Sequence, residues 1–174
     1  MNRSPVSAGM LRLAGLAVAA LFALAACVTV GVDANVKDLR RSAAPYGYLT
    51  TKSDADFATT LARLQMAIDK RGLRTFVVVD HAAGAASVGE TLRPTTLVVF
   101  GSPKVGTPLM QAAQTAGADL PLKALVYETA NGAAYVALSD PDALFANHDV
   151  EGLAELKDRM RTTLKAIAGD AAGA

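Results

Sequence analysis

The sequence predicts an α+β domain in which helices cover one face of a mostly antiparallel sheet of about five strands. Three observations predict it: five short apolar or β-branched runs, an Asn131-Gly132 dipeptide between the last two, and two long segments whose apolar residues recur at helical spacing. Tyr46–Thr51 is the first strand candidate, and Ser53 with Asp56 three residues on makes a capping-box-like start for a helix. In that helix Phe57, Leu61, Leu64 and Ile68 share one face at 3.6 residues per turn. Lys70 and Arg71 suit its negative end, and Gly72 can take a left-handed C-cap. Thr75–Val79 is too short for a helix and rich in β-branched residues, which predicts a buried strand. Asp80–Ala86 forms a turn or a short helix.

Thr95–Phe100 is the next strand, stopped by Gly101, and Thr107-Pro108 offers an N-cap with proline at the first helical position of a segment running to about Ala116. Leu122–Glu128 and Ala133–Leu138 flank Asn131-Gly132, a favoured hairpin dipeptide, and are expected to pair antiparallel. Asp140-Pro141 opens a short helix. Leu153, Leu156, Met160, Leu164 and Ile167 mark the apolar face of a final one, after which residues 170–174 are expected to fray. A doubly wound parallel sheet is the alternative architecture. The hairpin argues against it for the last two strands but leaves Phe76–Asp80 and Leu97–Phe100 free to run parallel.

Ahead of this domain, residues 1–12 carry Arg3 and Arg12 with no acid, and Leu13 to Ala26 are all apolar or glycine, as in a secretory signal. The run ends in Leu24-Ala25-Ala26-Cys27, which resembles the lipobox of bacterial lipoproteins. That resemblance implies cleavage before Cys27, a diacylglyceryl group on its thiol, and attachment to a membrane facing the periplasm. Val28 stands where an Asp retains many such proteins at the inner membrane, so the outer membrane is the expected destination in a Gram-negative cell. One alternative is an uncleaved anchor, because the apolar run continues to Val32 and reaches the roughly 20 residues a spanning helix needs. Another is cleavage at Ala23-Leu24-Ala25 without lipid. The expected organisation is a signal peptide at 1–26, a tether at 27–45 ending at Pro45, and one globular domain at 46–169.

The 148 residues from Cys27 onward are enough for one domain with a real core. Of 17 basic and 16 acidic residues, losing Arg3 and Arg12 leaves 15 against 16. With no basic excess, no tryptophan and only nine Tyr and Phe residues, nucleic-acid binding is set aside. Cys27 is the only cysteine, so neither a disulfide nor a thiolate metal site is expected within the domain. No cofactor is indicated.

Val79-Asp80-His81-Ala82-Ala83-Gly84-Ala85, Leu92-Arg93-Pro94-Thr95-Thr96 and Phe100-Gly101-Ser102-Pro103-Lys104-Val105-Gly106-Thr107-Pro108-Leu109-Met110 occur in that order, followed by Leu120-Pro121-Leu122-Lys123 and Val126-Tyr127-Glu128. Together they resemble domain-of-unknown-function family 302, over about Tyr48 to His148. The resemblance implies a compact TATA-box-binding-protein-like fold without DNA binding, and a homodimer. It implies no activity and transfers no catalytic residue. Gly101-Ser102-Pro103 stands where the family commonly has Gly-Asn-Pro.

Gly101–Thr107 follows a strand and opens a helix, where backbone N–H groups can hold an anion. It is not a P-loop, since Gly106 is followed by Thr107 and not by Lys-Ser/Thr. The competing reading is a rigid turn with Lys104 in solvent. His81 at a strand end can act as base or ligand, or simply bond a nearby carbonyl, and His148 reads as a helix-boundary residue. The two histidines lie 67 positions apart without clustered carboxylates, which disfavours a zinc site. Glu128 ends an apolar strand. The resulting expectation is a small-ligand binding or sensing domain in which His81, Lys104, Gly106, Thr107 and Glu128 border one cleft, where mixed charges and the amides of Gly106 to Leu109 hold a small anionic or amphoteric ligand. A small hydrolase or isomerase using His81, and a structural accessory lipoprotein, are the alternatives.

Overall fold

The computed structural model of the chain describes residues 47–174. The signal, Cys27, the tether and Tyr46 lie outside the described residues. The elements run β1 (Tyr48–Lys52), α1 (Phe57–Lys70), β2 (Arg74–Asp80), α2 (His81–Ala86), β3 (Thr95–Gly101), α3 (Pro103–Ala112), a 3-10 turn (Gln114–Ala118), β4 (Leu122–Glu128), β5 (Ala134–Ser139), α4 (Pro141–Asn147) and α5 (Ala154–Ala172). The fold is α+β, with one five-stranded sheet in the order β1-β5-β4-β3-β2 and every neighbouring pair antiparallel. The parallel option for β2 and β3 is therefore overturned. Val79 faces Leu97 and Asp80 faces Thr96 in an antiparallel register.

Alternation sorts the sheet's two faces. Val98 and Phe100 of β3, Ala124 and Val126 of β4, and Val136 and Leu138 of β5 are buried in one cluster with Leu64 and Ile68 of α1 and Met160, Leu164 and Ile167 of α5. The expected apolar faces of both long helices are thus the ones that meet the sheet. On the opposite face Leu125, Tyr127 and Tyr135 are half-buried, and the two tyrosine rings stack 5.6 Å apart.

Four local expectations change. Asp56, and not Ser53, caps α1, its carboxylate accepting from the Thr59 N–H at 2.7 Å. Ser53 is instead buried, with its hydroxyl 2.7 Å from that of Thr60. Helix α3 starts at Pro103 with Ser102 as its cap, because Ser102-Pro103 supplies the same cap-then-proline pattern five residues before Thr107-Pro108. Pro108 falls inside the helix, where it forgoes one ladder N–H. The expected fray after Gly169 is absent: α5 continues to Ala172, Ala171 and Ala172 are buried, and the Ala172 carbonyl accepts from the Asp54 N–H at 2.9 Å. Finally, β2 is an edge strand and not a buried one, with Phe76, Val77, Val78 and Val79 between 37% and 49% exposed. A β-branched run specifies a strand, but only its neighbours decide whether it is central.

Candidate functional site

Because all neighbours are antiparallel, β1, β2 and β4 end on one rim of the sheet and β3 and β5 on the other. His81 and Glu128 therefore share a rim with β3 standing between their strands, whereas Lys104 follows β3 on the opposite rim. The single cleft expected to contain all three is not formed. The reason is directional: β3 runs against both β2 and β4, so its carboxyl end points away from theirs. His81 is exposed and opens α2, which Asp80 caps by accepting from the Ala83 N–H at 2.9 Å. Glu128 is half-buried, with its carbonyl accepting from the Arg93 guanidinium at 3.1 Å. The anion cradle expected over Gly106–Leu109 is also absent as such, since those residues lie within α3 and the Gly106 N–H donates to the Ser102 carbonyl at 3.0 Å.

Gly106 and Thr107 nevertheless border a cleft of the domain. It has a volume of about 480 Å³ and lies where the end of α1, the start of α3, the Leu120–Leu122 segment and α5 converge at the carboxyl end of β3. Val105, Met110, Leu120, Leu156, Met160 and Leu164 supply apolar walls, and Ser102, Thr107 and Thr163 supply hydroxyls. Arg71 and Arg159 are the charged residues of its lining; among the described residues no acid lines it. Lys104 is exposed and is not part of the wall.

Arg71 is held in place. Its Nη1 donates to the Ala67 carbonyl and to Asp170 Oδ2, both at 2.9 Å, and this hydrogen bond lowers the Asp170 carboxyl below its usual value. Arg159 is more exposed, at 67%, with Nη1 3.6 Å from Glu155 one turn back. Neither arginine stands out in the sequence as a site residue, because each sits where a solvated helix charge is expected and the two are 88 positions apart. The apolar wall was equally hidden, since Leu156, Met160 and Leu164 read as core positions.

A second cluster joins His148 to residues near the 3-10 turn. Its Nε2 lies 2.9 Å from Asp119 Oδ2 and its Nδ1 3.1 Å from the Thr115 hydroxyl. The imidazole thereby ties the end of α4 to the segment before β4, a more specific role than the boundary position expected of it. Among the described residues no group of three or more His, Cys, Asp or Glu side chains is placed to hold a metal ion, and no helix is long and apolar enough to cross a membrane.

Curated relatives share part of this chain. It is 38% identical over 104 residues to "Fluoride-specific ion channel FluC 1" of Brucella suis biovar 1 (strain 1330), a match covering 60% of this chain and 41% of the relative. The protein of the same name in Brucella abortus biovar 1 (strain 9-941) is also 38% identical over 104 residues, 38% of its length. The chain thus spans about two fifths of the curated relatives it matches. The crystal structure of an uncharacterized conserved DUF302 protein from Bacillus stearothermophilus superposes with a TM-score of 0.66 at 17% identity, covering 73% of this chain and 99% of that one. That likeness is one of fold. The model of the family described as "Domain of unknown function DUF302" matches residues 49–167, most of the chain and nearly all of the domain, and the protein belongs to that family.

Proposed function

We propose that this protein is a lipoprotein, anchored through an acylated Cys27 to the periplasmic face of a membrane, the outer one by the residue that follows the cysteine. Its domain binds a small ligand in the cleft bordered by Arg71, Gly106, Thr107 and Arg159. The observation that carries the ligand reading is the cleft itself: about 480 Å³ of largely apolar wall, lined also by two arginines and few other polar residues. Small-molecule sites have this character, at roughly 300–1,000 Å³.

The experiment is a thermal shift of the protein across a panel of anions and metabolites, with Gly106→Leu as the cleft-filling control. An added Cβ at Gly106 meets only ordinary contacts, Leu120 Cδ1 at 3.5 Å and Met110 Cε at 3.9 Å, so a longer side chain projects toward the cleft without disturbing the helix backbone. A ligand that raises the melting midpoint of the parent but not of this variant supports the site. Stabilisation that persists in the variant, or that depends on His81 or Lys104, moves the site elsewhere. Lipidation is tested by mass spectrometry of the mature N-terminus and by membrane fractionation of Cys27→Ser.

A second copy of the chain is the proposed partner, with β2 as the contact. Among the described residues no strand pairs with its outer edge, and it exposes Phe76 and three valines, an edge of the kind that natural sheets usually blunt.

A further inference from the structure

We propose that the ligand of the cleft is a single-chain anionic amphiphile, its carboxylate-like head received by Arg71 and Arg159 and its hydrocarbon tail laid along Val105, Met110, Leu120 and Met160. This rests on the reading of the cleft as a ligand site and specifies what it takes. The head is selected by charge and by shape. Both Nη1 hydrogens of Arg71 are used, one on the Ala67 carbonyl and one on Asp170. Among the described residues no protein acceptor takes the Nε and Nη2 hydrogens, which form the edge of a guanidinium that matches a carboxylate in a bidentate pair. Asp170 holds Arg71 through its Nη1, and Arg159 in the lining adds a second charge.

The tail is selected by the wall. A compact inorganic anion gains nothing from leucine, valine and methionine, whereas a chain of methylenes does, and two unbranched thioethers at Met110 and Met160 adapt to tails of different length. A cationic amphiphile fits the same wall but meets two guanidinium groups with no acid among the lining residues. An alcohol of equal length fills the wall and leaves the bidentate edge of Arg71 with a poorer partner.

The test uses the full chain. Hexanoate, octanoate and decanoate are titrated below their micellar range against decanol, decyltrimethylammonium and inorganic phosphate. Binding is read from the methyl signals of Met110 and Met160, with Met66, exposed on α1 and outside the cleft, as an internal reference. The expected result is a shift of the two cleft methionines and not of Met66. Affinity should rise about fourfold per added methylene, with decanoate at least tenfold tighter than decyltrimethylammonium. Arg159→Gln should weaken decanoate about fivefold without moving the melting midpoint. If decanol and the cation bind as tightly as decanoate and all three shift Met110 and Met160, the cleft stands as a ligand site and the anionic class falls. If decanoate binds while both cleft methionines stay still, or does not bind at all, the proposal is overturned, and the metabolite panel then decides the cleft separately. Because the methionine readout needs no substitution, a variant that fails to fold does not rescue it.

Discussion

Replacing Leu64 with alanine removes the side chain at the centre of the contact between α1 and the sheet. Leu64 is fully buried, in one cluster with Ile68 below it, Val98 and Phe100 of β3, and Leu164 of α5. The lost carbons amount to about three methylenes, or about 2.4 kcal/mol of transfer free energy. A cavity penalty adds to this, because α1 is pinned at its start by the Asp56 cap and the Ser53–Thr60 hydroxyl contact and cannot collapse freely into the gap. The expected cost is about 3–4 kcal/mol, within the usual range of 2–5 for such sites. For a domain of this size that corresponds to roughly 10–15 °C in melting midpoint. Urea unfolding followed by circular dichroism measures it, with Met66→Ala as the control on the same helix. Met66 is 62% exposed, so its truncation should stay within about 0.5 kcal/mol. A loss below about 1 kcal/mol for Leu64→Ala, or equal losses for the two variants, would refute the packing of α1 described above.

The acid limb of the stability profile should follow Asp142 and Asp170, held below the usual 3.8 by hydrogen bonds from Arg161 and Arg71 respectively. Depressed folded-state values mean that their contribution is full above the ordinary carboxylate range and is lost as pH falls through the folded values. Melting midpoints should therefore decline below about pH 4, with a shallower decline in Asp170→Asn; an unchanged slope in that variant contradicts the assignment. Gly173→Ala should destabilise by about 1–2 kcal/mol, because Gly173 has φ of 82° and an added Cβ would collide with the Asp54 carboxylate that pairs with Arg63. Chemical denaturation checks it, and a neutral effect would mean that the end of α5 is not held as described. Val78→Lys places a charge on the apolar β2 edge. Light scattering should then report a monomer where the parent is a dimer, and a monomeric parent would remove β2 as a self-contact.

The elements of this protein were legible in the sequence because their signals are local. Phe57, Leu61, Leu64 and Ile68 share a helix face whatever lies beside it, Gly72 takes the expected left-handed conformation at φ of 64°, and Gly132 does the same at 79° between two strands that do pair antiparallel. Sheet faces followed from alternation, as in β3, where Thr96, Val98 and Phe100 are buried and Leu97 and Val99 are not. Which of two equivalent caps starts α3 was not decided by local pattern, since Ser102-Pro103 and Thr107-Pro108 satisfy the same rule. The candidate site depended on something less local still. Strand direction placed His81 and Lys104 on opposite rims, and the edge position left Val77–Val79 exposed despite a composition that suits burial. The cleft joins Arg71 at the end of one helix to Arg159 in another, and nothing within either segment records the other. Propensity and periodicity arise from a residue's own backbone and its near neighbours, whereas order, direction and concavity arise from contacts between segments far apart in the chain, so only the tertiary structure decided them.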